Sequence, residues 1–153
     1  MAGLSLAACR QADGPIPIPD QNVQDELKDV GRDLQNISTG DPEGPTDLAH
    51  DLGKYTERPP AVLAVSELSR RAAGVLPGKS LPDQAAQQLA HDMWVSIAAR
   101  ETSERQVETL QNSVQSLLIS IGVVEEGAQR VAAQVGEVQH AVSERPRRWY
   151  EVF

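Results

Sequence analysis

Three features of this sequence carry side chains able to do chemistry: a Gly-Lys-Ser triplet, three histidines and several adjacent carboxylates. Gly78-Lys79-Ser80 matches the end of a phosphate-binding loop, where backbone amides and a lysine cradle a nucleotide. That chemistry needs a glycine five residues before the final one, after a strand and opening a helix. Ala73 stands there, Gly74 is one position off, and a helical pattern precedes. The triplet therefore reads as a linker between two helices, with Ser80 as a cap. His50, His91 and His140 fall in separate segments, each apart from the other two, so no metal site is expected. Asp25-Glu26 and Glu125-Glu126 lie in regular amphipathic patterns, where carboxylates belong to solvated faces. Acid/base catalysis would require a cleft that shifts their pKa values. No serine sits in a nucleophile elbow. Neither catalysis nor a cofactor is expected, and no small-molecule substrate is indicated.

The elements that would position any such group are helical. The 153 residues contain 40% apolar side chains, but only 3% aromatic ones. Since large rings supply much of the buried area in most cores, about 150 to 250 Å² each, a core here must be made of thin aliphatic layers. Helices packed along seams suit that composition. The net charge of -8, from 22 acidic and 14 basic residues, repels phosphate backbones and argues against nucleic acid as a partner.

Cys9 is the single cysteine, which excludes an internal disulfide. It closes the segment Leu6-Ala7-Ala8-Cys9, which resembles the lipobox of bacterial lipoproteins. The resemblance covers about a dozen residues and leaves the helical body unassigned. It implies acylation of Cys9, cleavage before it, and a polar tether over residues 9–19. Residue 10 is Arg rather than Asp, which in that family implies sorting to the outer membrane, on its periplasmic face. Only eight residues precede Cys9 and none is Lys or Arg, so residues 1–8 read as the remnant of a signal with a charged start upstream. Several acyl chains would anchor stably where one would not. Without the modification, the chain would be a soluble cytosolic scaffold.

Beyond the tether, Val23, Leu27, Val30, Leu34 and Ile37 repeat at spacings of four and three. This predicts an amphipathic helix over 20–38, with Asp20 as N-cap, Gly40 just past the end, and Asp25, Glu26, Lys28, Asp29, Arg32 and Asp33 on the exposed face. Residues 39–59 read as a Pro/Gly-rich connector with a short helix through Leu48 and Leu52, capped by Thr46. Residues 60–100 read as two helices joined at 77–80, the second opened by a capping box of Ser80 and Asp83 and carrying Leu89, Met93 and Ile97. Asn36-Ile37-Ser38 matches a glycosylation pattern, but Ile37 belongs to the first seam.

The strongest periodicity runs through Val107, Leu110, Val114, Leu117, Ile121, Val124, Ala128, Val131, Val135, Val138 and Val142. Spacings of three and four alternate without an error, which predicts one long coiled-coil helix over 101–145. Complementary charges flanking this seam are nearly absent, so three or more helices in contact are expected. The first helix is expected to fold back on the long one, within a homo-oligomer. The predicted fold is all-α: an elongated helical bundle with a long C-terminal coiled-coil helix.

Residues 146–153 form a basic and aromatic tail, in which Arg147, Arg148, Trp149, Tyr150 and Phe153 are the expected contacts with a partner protein or a headgroup layer. A tail folded over the bundle end is the competing expectation. The sequence as a whole points to a non-catalytic structural or adaptor lipoprotein of the cell envelope. A cytosolic coiled-coil scaffold and a phage or secretion-apparatus component fit the same helices.

Overall fold

The structure, a computed structural model, describes residues 18–99 and 103–143. Among these residues there are six α-helices and no strand: α1 (Gln21–Ser38), α2 (Gly44–Gly53), α3 (Pro59–Val75), α4 (Asp83–Ala98), α5 (Glu104–Ser120) and α6 (Glu125–Ser143).

Local chemistry accounts for most of the boundaries. Asp20 caps α1 by accepting from the Val23 amide at 2.9 Å. At the other end Gly40 has φ +90°, the Gly40 amide donates to Ile37 O, and the Asp41 amide donates to Asn36 O. This pairing closes the orphan carbonyls of the last turn. Pro77 and Gly78 make a tight turn after α3, closed by the Lys79 amide on Leu76 O at 2.9 Å. Ser103 opens α5 with a reciprocal capping box, in which Ser103 Oγ accepts from the Gln106 amide and Gln106 Oε1 accepts from the Ser103 amide. The Ser80–Asp83 box does not form, and neither does the Thr46 cap. Helix α4 starts after Pro82 with Asp83 turned toward Gln35, and α2 starts two residues before Thr46, with Pro45 in its first turn.

The long helix predicted over 101–145 is two helices. Helix α5 ends at Ser120, and α6 begins at Glu125. The stop is built like that of α1: Gly122 adopts φ +97°, the Gly122 amide donates to Ile119 O, and the Val123 amide donates to Leu118 O, each at 3.0 Å. Leu118 and Val123 are both buried, so the bonded pair also makes an apolar clasp. The two helices then pack antiparallel. A Cβ on Gly136 would lie 2.2 Å from the Gln111 side chain and 3.4 Å from Val107, so the bare glycine is what lets α5 come this close.

The predicted seam survives on both arms of this hairpin. Val107, Leu110, Val114, Ala128, Val131, Val135 and Val138 are buried, while Leu117, Ile121 and Val142 are half-buried against the core. At the bend the register slips: Leu118 and Val123 take the core positions, and Val124 is 71% exposed.

The helices alternate in direction along the bundle, although α3 and α4, joined by the turn at 76–82, are not among the main packed pairs. Ile37 meets Gly44 while Glu26 meets Tyr55, so α2 returns along α1. Val75 faces Gly127, the Arg71 guanidinium donates to Arg130 O at 2.9 Å, and Arg58 reaches Val142 O, so α6 returns along α3. Helix α1 lies against α4 and α2, and its main neighbours do not include the C-terminal helix it was expected to join. Helix α6 takes α3, α4 and α5 as neighbours instead. One continuous core threads all six helices, with Leu34, Leu48, Leu52, Leu68, Leu89, Met93, Val114 and Val135 fully buried. Each large aliphatic side chain so buried contributes roughly 1.5 to 3 kcal/mol. The predicted helical bundle is present, and a hairpin of two shorter helices takes the place of its long C-terminal coiled-coil helix.

Candidate functional site

The seams that shape the bundle leave polar groups driven together at the contact between α1 and α2. Leu48 and Leu52 of α2 are fully buried and press this short helix onto α1. Their anchorage fixes the opposite edge of the contact, which is lined by carboxylates. Asp33, expected on the exposed face of α1, is only 7% exposed because α2 crosses over it. Its Oδ2 is buried without a hydrogen-bonding partner. Burial, together with a hydrogen bond to the Asp51 carboxyl and the charges of Asp51, Asp47 and Asp29, pushes the Asp33 carboxyl up from 3.8 to about 8. Asp51 lies 3.6 Å from Lys54 Nζ. Two turns toward the start of α1, the Tyr55 hydroxyl donates to Glu26 Oε2 at 2.7 Å, and burial with that neighbouring carboxylate raises the phenol above its ordinary value.

A second polar group joins α4 to α5. Asp92 is buried, accepting at Oδ2 from the Ser113 hydroxyl at 2.8 Å and at Oδ1 from Gln88 Nε2 at 3.1 Å. His91 Nδ1 stands 3.9 Å from Asp92 Oδ1, and its ring lies 6.1 Å from that of the buried Trp94. Serine, histidine and aspartate are all present, yet the serine proton goes straight to the carboxylate. In a nucleophilic triad the imidazole stands between them and accepts that proton. The group acts as a polar tie across an apolar interface.

The other residues singled out by type resolve plainly. The Gly78 amide donates to Ser38 O at 2.9 Å, so it is committed to joining the α3–α4 turn to the end of α1. Among the described residues no group of three or more His, Cys, Asp or Glu side chains is placed to hold a metal ion. The expected lipid attachment at Cys9 and the expected contacts at Arg147, Arg148, Trp149, Tyr150 and Phe153 lie outside the described residues. Asp33, Asp92 and Ser113 carried no signal of their own, since each is a lone polar residue on an amphipathic pattern.

The alternation of six helices gives the bundle two unlike poles. One gathers the turns at 39–43, 76–82 and 121–124, tied by Gly78 to Ser38 and by the approach of Lys79 to Gly122. The other gathers residues 54–58, Ala99, Ser103 and both described ends, with Glu26 held by Tyr55 and Val142 by Arg58. Segments 1–17 and 144–153 therefore connect to the same pole. Compared with known proteins, the chain matches no family model, no curated protein and no solved structure.

Proposed function

We propose that this chain is a non-catalytic adaptor lipoprotein of the bacterial cell envelope, held on a membrane through an acylated Cys9. The observation that supports this reading most is the shared pole. An even number of alternating helices puts residues 18 and 143 at one pole, so the lipobox-like Leu6-Ala7-Ala8-Cys9 and the tail with Arg147, Arg148, Trp149, Tyr150 and Phe153 join the bundle from the same side. A lipid anchor and a basic, aromatic segment attached to the same side reinforce each other. The acyl chains enter the hydrocarbon, the arginines meet anionic headgroups, and the rings sit at the interface. The opposite pole, with its three turns, then faces away from the membrane and is the surface offered to a protein partner. No helix among the described residues is long and apolar enough to cross a membrane, so attachment would rest on the modified cysteine.

The α5–α6 seam packs within one chain. This favours a monomeric adaptor over the coiled-coil oligomer the periodicity predicts.

The test is the intact mass of protein expressed from its native upstream region and extracted from membranes. The reading requires a chain that begins at Cys9 with added acyl mass, lost together with membrane association in Cys9→Ser. An unmodified chain that starts at Met1 in the soluble fraction would overturn it and leave a cytosolic helical scaffold.

A further inference from the structure

We propose that Asp33 and Asp51 share one proton across the α1–α2 contact, and that this proton is a latch: while it is bound, α2 stays docked on α1, and its loss releases α2. The inference is independent of the membrane reading above.

The geometry carries it. Asp33 is 7% exposed and its Oδ2 is out of contact with both solvent and any donor. An ionised carboxylate in that position would lack the hydrogen bonds that make burial of a charge tolerable. The group within hydrogen-bonding reach of it is a second carboxyl, Asp51, which lies 3.6 Å from Lys54. Two facing carboxyls cannot both be charged without repulsion, and one proton between them turns the repulsion into an O–H···O bond. Asp33 is the more buried of the two and Lys54 stands beside Asp51, so Asp33 is the group that carries the proton and donates.

Among the described residues the charged neighbours of Asp33 are carboxylates. From α2 it is faced by Asp51 and Asp47, and on its own helix by Asp29, which is partnered by Arg32 at 3.7 Å. On the α4 side the charged group at α1 is Asp83, which accepts from Gln35 at 2.7 Å. The ion pairs of α3 are internal to it, with Glu67 taking Arg70 and Arg71. A metal ion is a poorer occupant than a proton, because no three ligands converge there among the described residues. Ionising Asp33 therefore sets it against three other carboxylates, and the element free to yield is α2. That helix has only ten residues, and its buried large side chains are two leucines, Leu48 and Leu52.

The experiment follows the side-chain carboxyl of Asp33 and the methyl groups of Leu48 and Leu52 by NMR in the full chain across pH 4 to about 10. The Asp33 midpoint is expected near 8, with the leucine methyls shifting at the same midpoint and the exchange of the α2 backbone amides with solvent rising above it. In Asp33→Asn the methyl transition should vanish and α2 should stay docked at high pH. Should that variant not fold, Asp51→Asn serves: the Asp33 midpoint should then fall by at least one pH unit. An Asp33 midpoint near the ordinary value of 3.8 would overturn the proposal, as would a methyl transition that persists in Asp33→Asn. Recovery of the docked state at high pH on adding calcium chloride alone would also overturn it, since the pair would then be a cation site.

Discussion

The α5–α6 hairpin and the α1–α2 contact are both antiparallel helix pairs closed by short turns, yet opposite means hold them. Between α5 and α6 the contact is made of valines, alanines and a bare glycine at Gly136, and its turn is set by Gly122 and clasped by Leu118 on Val123. Between α1 and α2, two leucines carry the apolar contact while carboxylates crowd its edge. Among the described residues no titratable side chain is buried on α5 or α6, whereas the second pair is built around one. Packing of the first kind is insensitive to conditions, and the second kind makes a stretch of the fold answer to them.

The comparison can be broken most directly at Leu118, which is 1% exposed. Leu118→Ala should cost about 2 to 5 kcal/mol in denaturant-induced unfolding, because it opens a cavity at the clasp. A loss under about 1 kcal/mol would mean the turn is held by its hydrogen bonds alone.

The acidic pair should show itself as a slope. With Asp33 raised from 3.8 to about 8, the folded chain keeps a proton that the unfolded chain has released throughout that window. Stability from this group is therefore fully present below pH 3.8 and is lost as pH rises toward 8, at up to roughly 1.4 kcal/mol per pH unit. Thermal unfolding should give a falling Tm over that range. Asp33→Asn should flatten the fall, whereas Leu118→Ala should lower the whole curve without changing its slope.

Smaller effects are expected at the bend. Gly122→Ala forces a Cβ into φ +97° and should cost about 1 to 2 kcal/mol in the same assay. Val124→Ser should change stability by no more than about 0.5 kcal/mol, since the side chain is 71% exposed. An unbroken coiled-coil helix would reverse the ranking of these two, with alanine at Gly122 stabilising and serine at Val124 costly.

The contrast between the two pairs also explains what could be read from the residues alone. The class, the first helix with its Asp20 cap, and most core positions follow from spacing, because a helix that buries one stripe must repeat it. The bend at Gly122 was hidden by arithmetic. Ile121 to Val124 is long enough to reverse the chain and keeps the alternation of three and four in phase, so two helices wrote the pattern of one. A mid-helix glycine costs about 1 kcal/mol and looks tolerable, although the same residue is what a helix stop requires. The signal present was local: Leu118 beside Leu117 and Val123 beside Val124 offered the alternative register. Asp33 was illegible for a different reason. Its burial is imposed by α2, a helix about twenty residues away whose placement depends on the turn after α1 rather than on any periodicity. Asp92 was hidden likewise, because its partner Ser113 comes from the next helix.

The even count of alternating helices also has a mechanical meaning. A load applied between the two described ends, both at one pole, pulls α1 and α6 away from their neighbours from the end inward. Contacts then break one layer at a time, as in peeling, instead of sliding together under shear. A protein held at one pole by both of its ends would yield to tension progressively from that pole, while the pole with the three turns kept its shape longest.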